Sequence, residues 1–566
     1  MGFAVTRTYP DVKEVVVIKV KYENFLKSLC DAFKSGVFLW GLKNEGERNR
    51  VLEVSSRLAI FYVIERGFAM IATVKGSVDA SRPYWPDEVE EGRIIYGFRF
   101  MLEPVKISSC FSSGVVCGEG KELSAGCFVE SKMVNEYIAR ECRLTGTRRQ
   151  ALIAASPTKK VSGCDAEKLV EYLMRRLTDF KPVSDPIFDK LRDMSLDKLV
   201  VLAHLMAGKN VLLLGPPGSG KTSFLTRLLG DVGVDYSVET GNPEWTPFDT
   251  IGGQTIHGGV VKGFVTKSVE RCESDLSSKK LPYWLIVDEI NRANVDLAFG
   301  KLFTLLDPVY RDREKLPVAN NEVRVPLSFR VLATMNSFDR ALLHKMGYAL
   351  MRRFAIVRHE DLNMLESPAS LYGEVGAVDE VKKYARSECL DELRINLERV
   401  KSELLMSSVN DYLVISPTLH KILSSRQDPF SVEGLELHEV LACISRDIIN
   451  EKLKNYTECE VCPIRVTPGV LADALKYVAV LNTLIKGTGR DLGRELTIKL
   501  VLDTALASYI LPQLDVLADR AQLEAISGKQ SKLENILKEI SGDLGKLGLK
   551  LSSELVGRLA GGRRII

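Results

Sequence analysis

The residues from Gly215 to Thr222 have the types and spacing needed to bind a polyphosphate. They are Gly215, Pro216, Pro217, Gly218, Ser219, Gly220, Lys221 and Thr222, followed by Ser223. The glycines allow the backbone to wrap around phosphate groups with its N–H groups pointing inward, and the positive end of the next helix lies behind them. In such a loop the lysine reaches the β and γ phosphates and the threonine hydroxyl binds Mg²⁺. The pattern therefore predicts that Lys221 and Thr222 hold a nucleotide with its magnesium ion.

A phosphate loop works only between a strand and a helix, and the flanking residues favour both elements. The run Val211 to Leu214 is too short and too rich in strand-forming residues for a surface helix, so it indicates a buried strand. Residues 223–229 favour a helix. This context disfavours the alternative, a chance glycine-rich turn.

Two carboxylates follow a second apolar run. Trp284 to Val287 indicates a buried strand, and Asp288 and Glu289 come directly after it. Phosphoryl transfer depends on positioning and charge stabilisation more than on covalent chemistry. We therefore expect Asp288 to hold the Mg²⁺ shell, with Thr222, and Glu289 to orient and polarise the attacking water. The alternative is that both carboxylates are ordinary helix caps.

A third predicted strand, at 329–335, ends at Asn336, whose amide can bond the γ-phosphate or the water. Further along, Arg352 and Arg353 precede Phe354. Paired arginines at this point can act across a subunit interface on the nucleotide of a neighbour. The alternative for the pair is a solvated basic helix end.

The distribution of apolar residues predicts an α/β protein of several domains. The segment 1–155 is rich in short β-branched and aromatic runs, which indicates a small β-barrel or sheet with few helices. We expect a helical linker at 156–190 and a parallel sheet with crossover helices at 191–362. The segment 363–566 has helical spacing almost throughout, which predicts a helical lid and further C-terminal helices.

The composition is that of a soluble globular protein of 566 residues with a net charge of +3, so any contact with DNA must be local. Eleven scattered cysteines favour reduced thiols over a disulfide framework, and Cys459 and Cys462 lack further ligands for zinc. The N-terminus lacks a leader-like apolar segment. We expect a cytoplasmic protein without membrane contact.

Together these motifs resemble the AAA+ module of the McrB type, the motor subunit of modification-dependent restriction systems. The resemblance rests on Gly215 to Thr222, on 288–294, on Met335 to Arg340 and on Ala349 to Phe354. The segment 244–253 is similar to one in the wider helix-2-insert AAA+ group, which includes MoxR-type and dynein-like ATPases. The resemblance implies GTP (or ATP) with Mg²⁺, a homo-oligomeric ring that is a hexamer in the family, and a separate McrC-like nuclease subunit.

The residues after the two carboxylates also match the family signature. By analogy Asn291 and Asn294 arrange the attacking water or couple the site to a partner. Caps for the following helix are an equal alternative.

The N-terminal segment looks like the EVE, YTH and PUA-like group of nucleic-acid readers. The similarity rests on Trp40, on the strand that contains Tyr62, and on Tyr84 and Trp85 before a further aromatic strand. Such readers hold a flipped or single-stranded modified base between aromatic faces. The resemblance implies recognition of methylated DNA by base flipping. The alternative is that the tryptophans pack in the core.

Two other functions remain open from the sequence. One is an ATP-driven chaperone or remodeller of the MoxR type whose N-terminal domain binds protein. The other keeps the AAA+ ring but makes the N-terminal domain a reader of modified RNA. Nucleotide preference and DNA binding distinguish these possibilities.

Overall fold

The computed structural model divides the chain into two compact units, residues 1–185 and residues 186–566. The structure describes the following residues: 12–35, 38–79, 83–111, 127–143, 151–153, 156–180, 190–278, 281–300, 302–307, 310–311, 314–337, 352–373, 377–410, 428–454, 456, 466–490, 492–526 and 532–565.

The first unit is built on a seven-stranded mixed sheet. Its strands are β1 (Glu14–Val20), β2 (Phe38–Leu42), β3 (Leu58–Val63), β4 (Gly67–Asp79), β5 (Phe98–Ile107), β6 (Thr158–Ser162) and β7 (Thr178–Asp179). The order is β2-β5-β4-β3-β1-β6, with β7 paired to β5. β1 and β3 are parallel, and the other pairs are antiparallel. The sequence predicts a small β-barrel or sheet, and within the described residues no ladder joins β6 to β2.

Among its described residues the same unit has five helices. They are α1 (Tyr22–Ser35), α2 (Glu45–Leu52), α3 (Pro86–Glu91), α4 (Ser131–Arg143) and α5 (Gly163–Arg176). The expectation of few helices is wrong, because α4 and α5 bury apolar residues against one face of the sheet. The first unit also extends beyond the predicted boundary at residue 155. β6 pairs with β1 along its whole length, so residues 158–162 are part of the sheet rather than of a linker.

The second unit contains a five-stranded parallel sheet. Its strands are β8 (Asn210–Gly215), β9 (Asp235–Thr240), β12 (Tyr283–Asp288), β15 (Val331–Asn336) and β16 (Phe354–Arg358), in the order β16-β8-β15-β12-β9. All four pairings are parallel. β8 and β15 are buried throughout, which explains why they appear in the sequence as short uninterrupted apolar runs. β9 lies at the sheet edge, and its residues are exposed or half-buried.

Short hairpins and helices surround this sheet. The small strands are β10 (Gly252–Gln254), β11 (Val260–Lys262), β13 (Leu316–Val318) and β14 (Asn321–Val323). The helices are α6 (Leu196–Met206), α7 (Lys221–Val232), α8 (Pro247–Thr250), α9 (Phe264–Ser278), α10 (Val295–Phe299), α11 (Leu302–Leu306) and α12 (His359–Met364). A 3₁₀ turn at Ile290–Arg292 follows β12. β10 and β11 pair as an antiparallel hairpin.

The rest of the second unit is helical, as the sequence predicts. Its helices are α13 (Pro368–Tyr372), α14 (Ala377–Lys382), α15 (Glu388–Glu392), α16 (Leu397–Asn410), α17 (Leu437–Cys443), α18 (Glu451–Lys454), α19 (Pro468–Gly487), α20 (Arg494–Ala505), α21 (Val516–Ile526), α22 (Lys532–Lys546) and α23 (Lys550–Ala560). π-helical turns follow α17 and α20, and β17 (Ser431–Val432) pairs with β18 (Leu435–Glu436).

One described helix, α19, is long and apolar enough to cross a membrane. The helical segments Arg494–Leu514 and Val516–Glu524, which meet at a bend, are long and apolar enough only when taken together. The apolar window of α19 is 72% buried inside the protein. This helix belongs to the hydrophobic core of the second unit, which it shares with β8 and β15.

Six cysteines form three disulfides within the described residues: Cys110–Cys127, Cys142–Cys164 and Cys389–Cys443. The prediction of reduced thiols is therefore wrong for these six. The two cysteines of each pair are separated by 17 to 54 residues in the chain. Folding brings their Cα atoms to 5.2 to 5.9 Å from each other. Cys459 and Cys462 lie outside the described residues.

Candidate nucleotide-binding site

The phosphate loop lies between β8 and α7, as the sequence predicts. Gly218 and Gly220 have φ angles of 73° and 85°, in the left-handed region that favours glycine. A Cβ atom added at Gly215 would come within 3.2 Å of both Ser219 Oγ and His359 Cβ. The loop thus needs glycine at these positions to curve around a ligand at the N-terminus of α7.

Lys221 is held beneath the loop. Its side chain is only 8% exposed, and its Nζ donates to the carbonyls of Gly215 at 3.0 Å and Pro216 at 2.7 Å. Burial lowers the pKa of the Lys221 ammonium, while the nearby Asp288 and Glu289 carboxylates oppose that shift. The ammonium group therefore lies near both the loop and the two acidic residues. Phosphate oxygens of a ligand would compete with the loop carbonyls for its three N–H donors.

Asp288 accepts two hydroxyl hydrogen bonds at the carboxyl end of β12. Thr222 Oγ1 donates to Asp288 Oδ1 at 2.5 Å, and Thr334 Oγ1 donates to the same oxygen at 2.6 Å. Thr334 lies on a predicted strand but belongs to none of the motifs that the sequence singles out. Its role depends on β15 lying beside β12, an adjacency that the fold establishes, with Thr334 two residues before the end of its strand.

Glu289 has an unusual backbone conformation. Its φ and ψ are both 50°, which is left-handed and rare for a side-chain-bearing residue. Its N–H donates to Thr334 Oγ1 at 2.9 Å, and its carboxylate pairs with Arg292 at 2.8 Å. Gly241 packs directly against this turn, because a Cβ there would lie 2.2 Å from the Glu289 carbonyl oxygen. Backbone geometry and the hydroxyl of Thr334 thus fix the direction of Glu289.

The three asparagines have different surroundings. Asn336 is buried at the end of β15, beside Gly215 in the ladder. Asn291 is 1% exposed, and neither polar atom of its side chain has a hydrogen-bond partner among the described residues. Asn294 caps α10, since its Oδ1 accepts from Leu297 N–H at 3.3 Å, which is the capping alternative for that residue.

Arg352 and Arg353 lie at the opposite end of the sheet from the phosphate loop. Phe354 follows them and pairs with Asn210 at the start of β8, about 17 Å along the strand from Gly215. Both arginines line a cavity of about 360 Å³ together with Lys209, Asp473 and Lys476. Arg353 donates to the Phe303 carbonyl, and Lys209 donates to the Arg352 carbonyl at 3.0 Å. Neither side chain reaches the phosphate loop of the same chain.

The aromatic residues of the predicted base pocket are buried against one another. Trp40 and Trp85 are 5% and 0% exposed, and their rings contact each other with centroids 5.6 Å apart. Trp85 Nε1 donates to Ser28 Oγ at 2.8 Å, and the buried Tyr84 hydroxyl donates to Asp31. The half-buried Tyr62 contacts Phe68. The two tryptophans and Tyr84 are thus core residues. The prediction that a base stacks on these three side chains is wrong, and the core-packing alternative holds for them.

The residues at Thr222 and Asp288 fit a magnesium ion. One hydroxyl and one carboxylate converge there, and Mg²⁺ usually combines one or two such protein ligands with waters and substrate phosphates. Among the described residues no group of three or more His, Cys, Asp or Glu forms a metal-binding cluster.

The fold and this site define the central region as an AAA+ P-loop nucleotide-binding domain. Residues 210–354 match the family model described as an AAA domain of the dynein-related subfamily. A stretch of 186 residues is 30% identical to the McrB subunit of the type IV methyl-directed restriction enzyme EcoKMcrB from Escherichia coli K12. That match covers 30% of this chain and 40% of the length of the relative.

Two solved structures are also similar. One is described as an ATPase from Cytophaga hutchinsonii, with 15% identity, a TM-score of 0.23, and 41% of this chain and 80% of that chain covered. The other is a mutant of RuvB from Thermotoga maritima, with 13% identity, a TM-score of 0.19, and 63% and 84% covered.

Proposed function

We propose that this chain is the GTP-hydrolysing AAA+ motor subunit of an McrBC-like modification-dependent restriction system. The observation that carries the proposal is the cluster of Lys221, Thr222, Asp288, Thr334 and Glu289 at the carboxyl end of the parallel sheet. The similarity of the same region to the E. coli McrB subunit supports the choice of a restriction system. GTP is the nucleotide that the resemblance to the McrB type implies.

In this mechanism each residue has a distinct role. Lys221 and the loop N–H groups bind the β and γ phosphates. Thr222 and Asp288 hold Mg²⁺, which neutralises charge on the phosphate oxygens. Glu289 orients the attacking water and accepts its proton, and Thr334 fixes the direction of Glu289 through the backbone N–H. Asn336 lies beside the loop, where its amide can report the presence of the γ-phosphate.

The position of Arg352 and Arg353 supports a site shared between subunits. They lie at the far end of the sheet from their own phosphate loop, so in a ring they would act on the nucleotide of a neighbour. We therefore include a homo-oligomeric ring, a hexamer by resemblance, in the proposal. The nuclease would be a separate McrC-like subunit.

Recognition of methylated DNA is assigned to the first unit. Since Trp40, Tyr84 and Trp85 are buried, the contact with a modified base must involve other residues of that unit. A cytoplasmic location without membrane contact completes the proposal.

Hydrolysis of GTP and ATP, measured side by side with and without a methylated DNA duplex, tests this function. We expect a higher kcat/KM for GTP and stimulation by methylated duplex but not by its unmethylated control. An ATP preference indifferent to DNA would contradict the proposal and favour the MoxR-type remodeller.

A further inference from the structure

The sheet order fixes the side of the phosphate loop on which a nucleoside must lie. Thr334 and Asp288, on β15 and β12, lie on one side of β8, and β16 lies on the other. The γ-phosphate must reach Asp288 and Glu289, and the phosphate chain crosses the N-terminus of α7. The ribose and base therefore extend toward the β16 side of the loop.

His359 is the first residue after β16 and marks this side. Arg358 pairs with Leu214, which places His359 beside Gly215, with its Cβ 3.2 Å from where a Cβ at Gly215 would lie. Its ring also contacts Phe224 on α7, with centroids 5.9 Å apart. Burial lowers the pKa of His359, the Lys221 and Arg227 cations add to that effect, and the Asp197 and Glu360 carboxylates oppose it. The net shift is downward and favours the neutral ring.

Asp197, on α6, lies on the same side of the phosphate loop as His359. The turn at 207–209 reverses the chain between α6 and β8, and the two elements have similar lengths, about 16 and 20 Å. The first turn of α6, which contains Asp197, therefore lies at the phosphate-loop end of β8. In agreement, the negative charge of Asp197 is close enough to His359 to raise the pKa of its ring against the effect of burial.

The carboxylate of Asp197 has an unused acceptor. Its Oδ1 is buried and has no hydrogen-bond partner among the described residues, although the residue as a whole is partly exposed. A buried acceptor without a donor is costly, so a ligand that supplies donors at this point would gain binding energy. The neighbouring Lys198 is already paired with Asp231, at 2.6 Å.

We propose that Asp197 reads the guanine base of the bound nucleotide. Guanine presents two adjacent donors, N1–H and the 2-amino group, and the two oxygens of one carboxylate can accept both. Adenine has an acceptor at N1 and no donor at C2, so the same carboxylate disfavours it. The inference rests on the proposed GTP preference and assigns that preference to a residue of this chain.

A structural role for Asp197 makes a different prediction. An acidic residue in the first turn of a helix stabilises it through the helix dipole. If that were its only role, Asp197→Asn would lower the melting temperature but leave the ratio of kcat/KM values among nucleotides unchanged.

The test compares the wild type, Asp197→Asn and the control Asp231→Asn with GTP, xanthosine triphosphate (XTP) and ATP. In Asp197→Asn the amide can accept from N1–H and donate to the 2-carbonyl of xanthine. We expect kcat/KM for GTP to fall at least about tenfold and the XTP-to-GTP ratio to rise, because a charged acceptor is lost. Asp231→Asn, which removes an exposed carboxylate from the end of α7, should keep the wild-type ratios.

Unchanged ratios in Asp197→Asn would overturn this inference while leaving the GTPase assignment intact. A wild type that does not prefer GTP over ATP would instead overturn the proposed nucleotide and the inference with it. Should the variant fail to fold, inosine triphosphate (ITP) tests the wild type directly, since hypoxanthine lacks the 2-amino group. We expect at least about tenfold lower kcat/KM for ITP than for GTP, and equal values would overturn the inference.

Discussion

At the scale of single residues, the site depends on a threonine that links the Asp288 carboxylate to the Glu289 backbone. Thr334 donates to Asp288 and accepts from the Glu289 backbone, so one hydroxyl fixes both the magnesium ligand and the residue that orients water. The loop, Asp288 and Glu289 could be predicted from sequence because their types and spacing serve phosphate chemistry. Thr334 could not, since threonine is also an ordinary strand residue.

We predict that Thr334→Val impairs hydrolysis without preventing folding. Valine has a similar shape but cannot bond Asp288 or Glu289, and a hydrogen bond to a charged group contributes about 1.5–3 kcal/mol. The kcat for GTP should fall at least about tenfold, and more Mg²⁺ should be needed for half-maximal rate. Thr226→Val is the matched control, because the Thr226 hydroxyl bonds Ser223 in its own helix. A wild-type kcat in Thr334→Val would contradict this role.

At the scale of elements, the parallel sheet was predictable because its central strands are buried on both faces and so appear as short apolar runs. β6 was not predictable. Its sequence contains two lysines, and its pairing with β1 depends on a contact between residues almost 150 positions apart in the chain, which local sequence does not encode. Trp40 and Trp85 show the same limit, since a tryptophan serves equally in a core or in a base pocket.

The junction between β9 and the Glu289 turn should be sensitive to a single methyl group. A Cβ at Gly241 would lie 2.2 Å from the Glu289 carbonyl oxygen, so Gly241→Ala must displace that turn. We predict a lower melting temperature and a loss of hydrolysis. Gly230→Ala, inside α7 with no heavy atom within 4 Å of the new Cβ, should instead stabilise the protein by about 0.4–1 kcal/mol. Equal effects of the two substitutions on hydrolysis would argue against a tight turn.

At the scale of the whole molecule, the disulfides were the largest departure from expectation. An odd number of scattered cysteines gives no framework pattern, because pairing depends on distances that only the fold determines. Cys389 and Cys443 are both fully buried, and their bond ties α15 to the end of α17 in the helical region of the second unit.

We predict that the double variant Cys389→Ala/Cys443→Ala is less stable than the wild type. The bond closes a sequence separation of 54 residues, for which chain entropy gives about 4 kcal/mol. Calorimetric unfolding without reductant should show the lower melting temperature in the variant. Alkylation of both cysteines in denatured, unreduced wild-type protein would show that the bond is absent.

The central claim is that the sheet end around the phosphate loop hydrolyses a nucleoside triphosphate through Glu289. The most direct test measures bound nucleotide and turnover in Glu289→Gln, with Lys221→Ala as the variant that should lose tight binding. We predict that Glu289→Gln retains bound GTP with turnover reduced at least about a hundredfold, within the range for loss of a general base. Hydrolysis at the wild-type rate in Glu289→Gln would contradict the account.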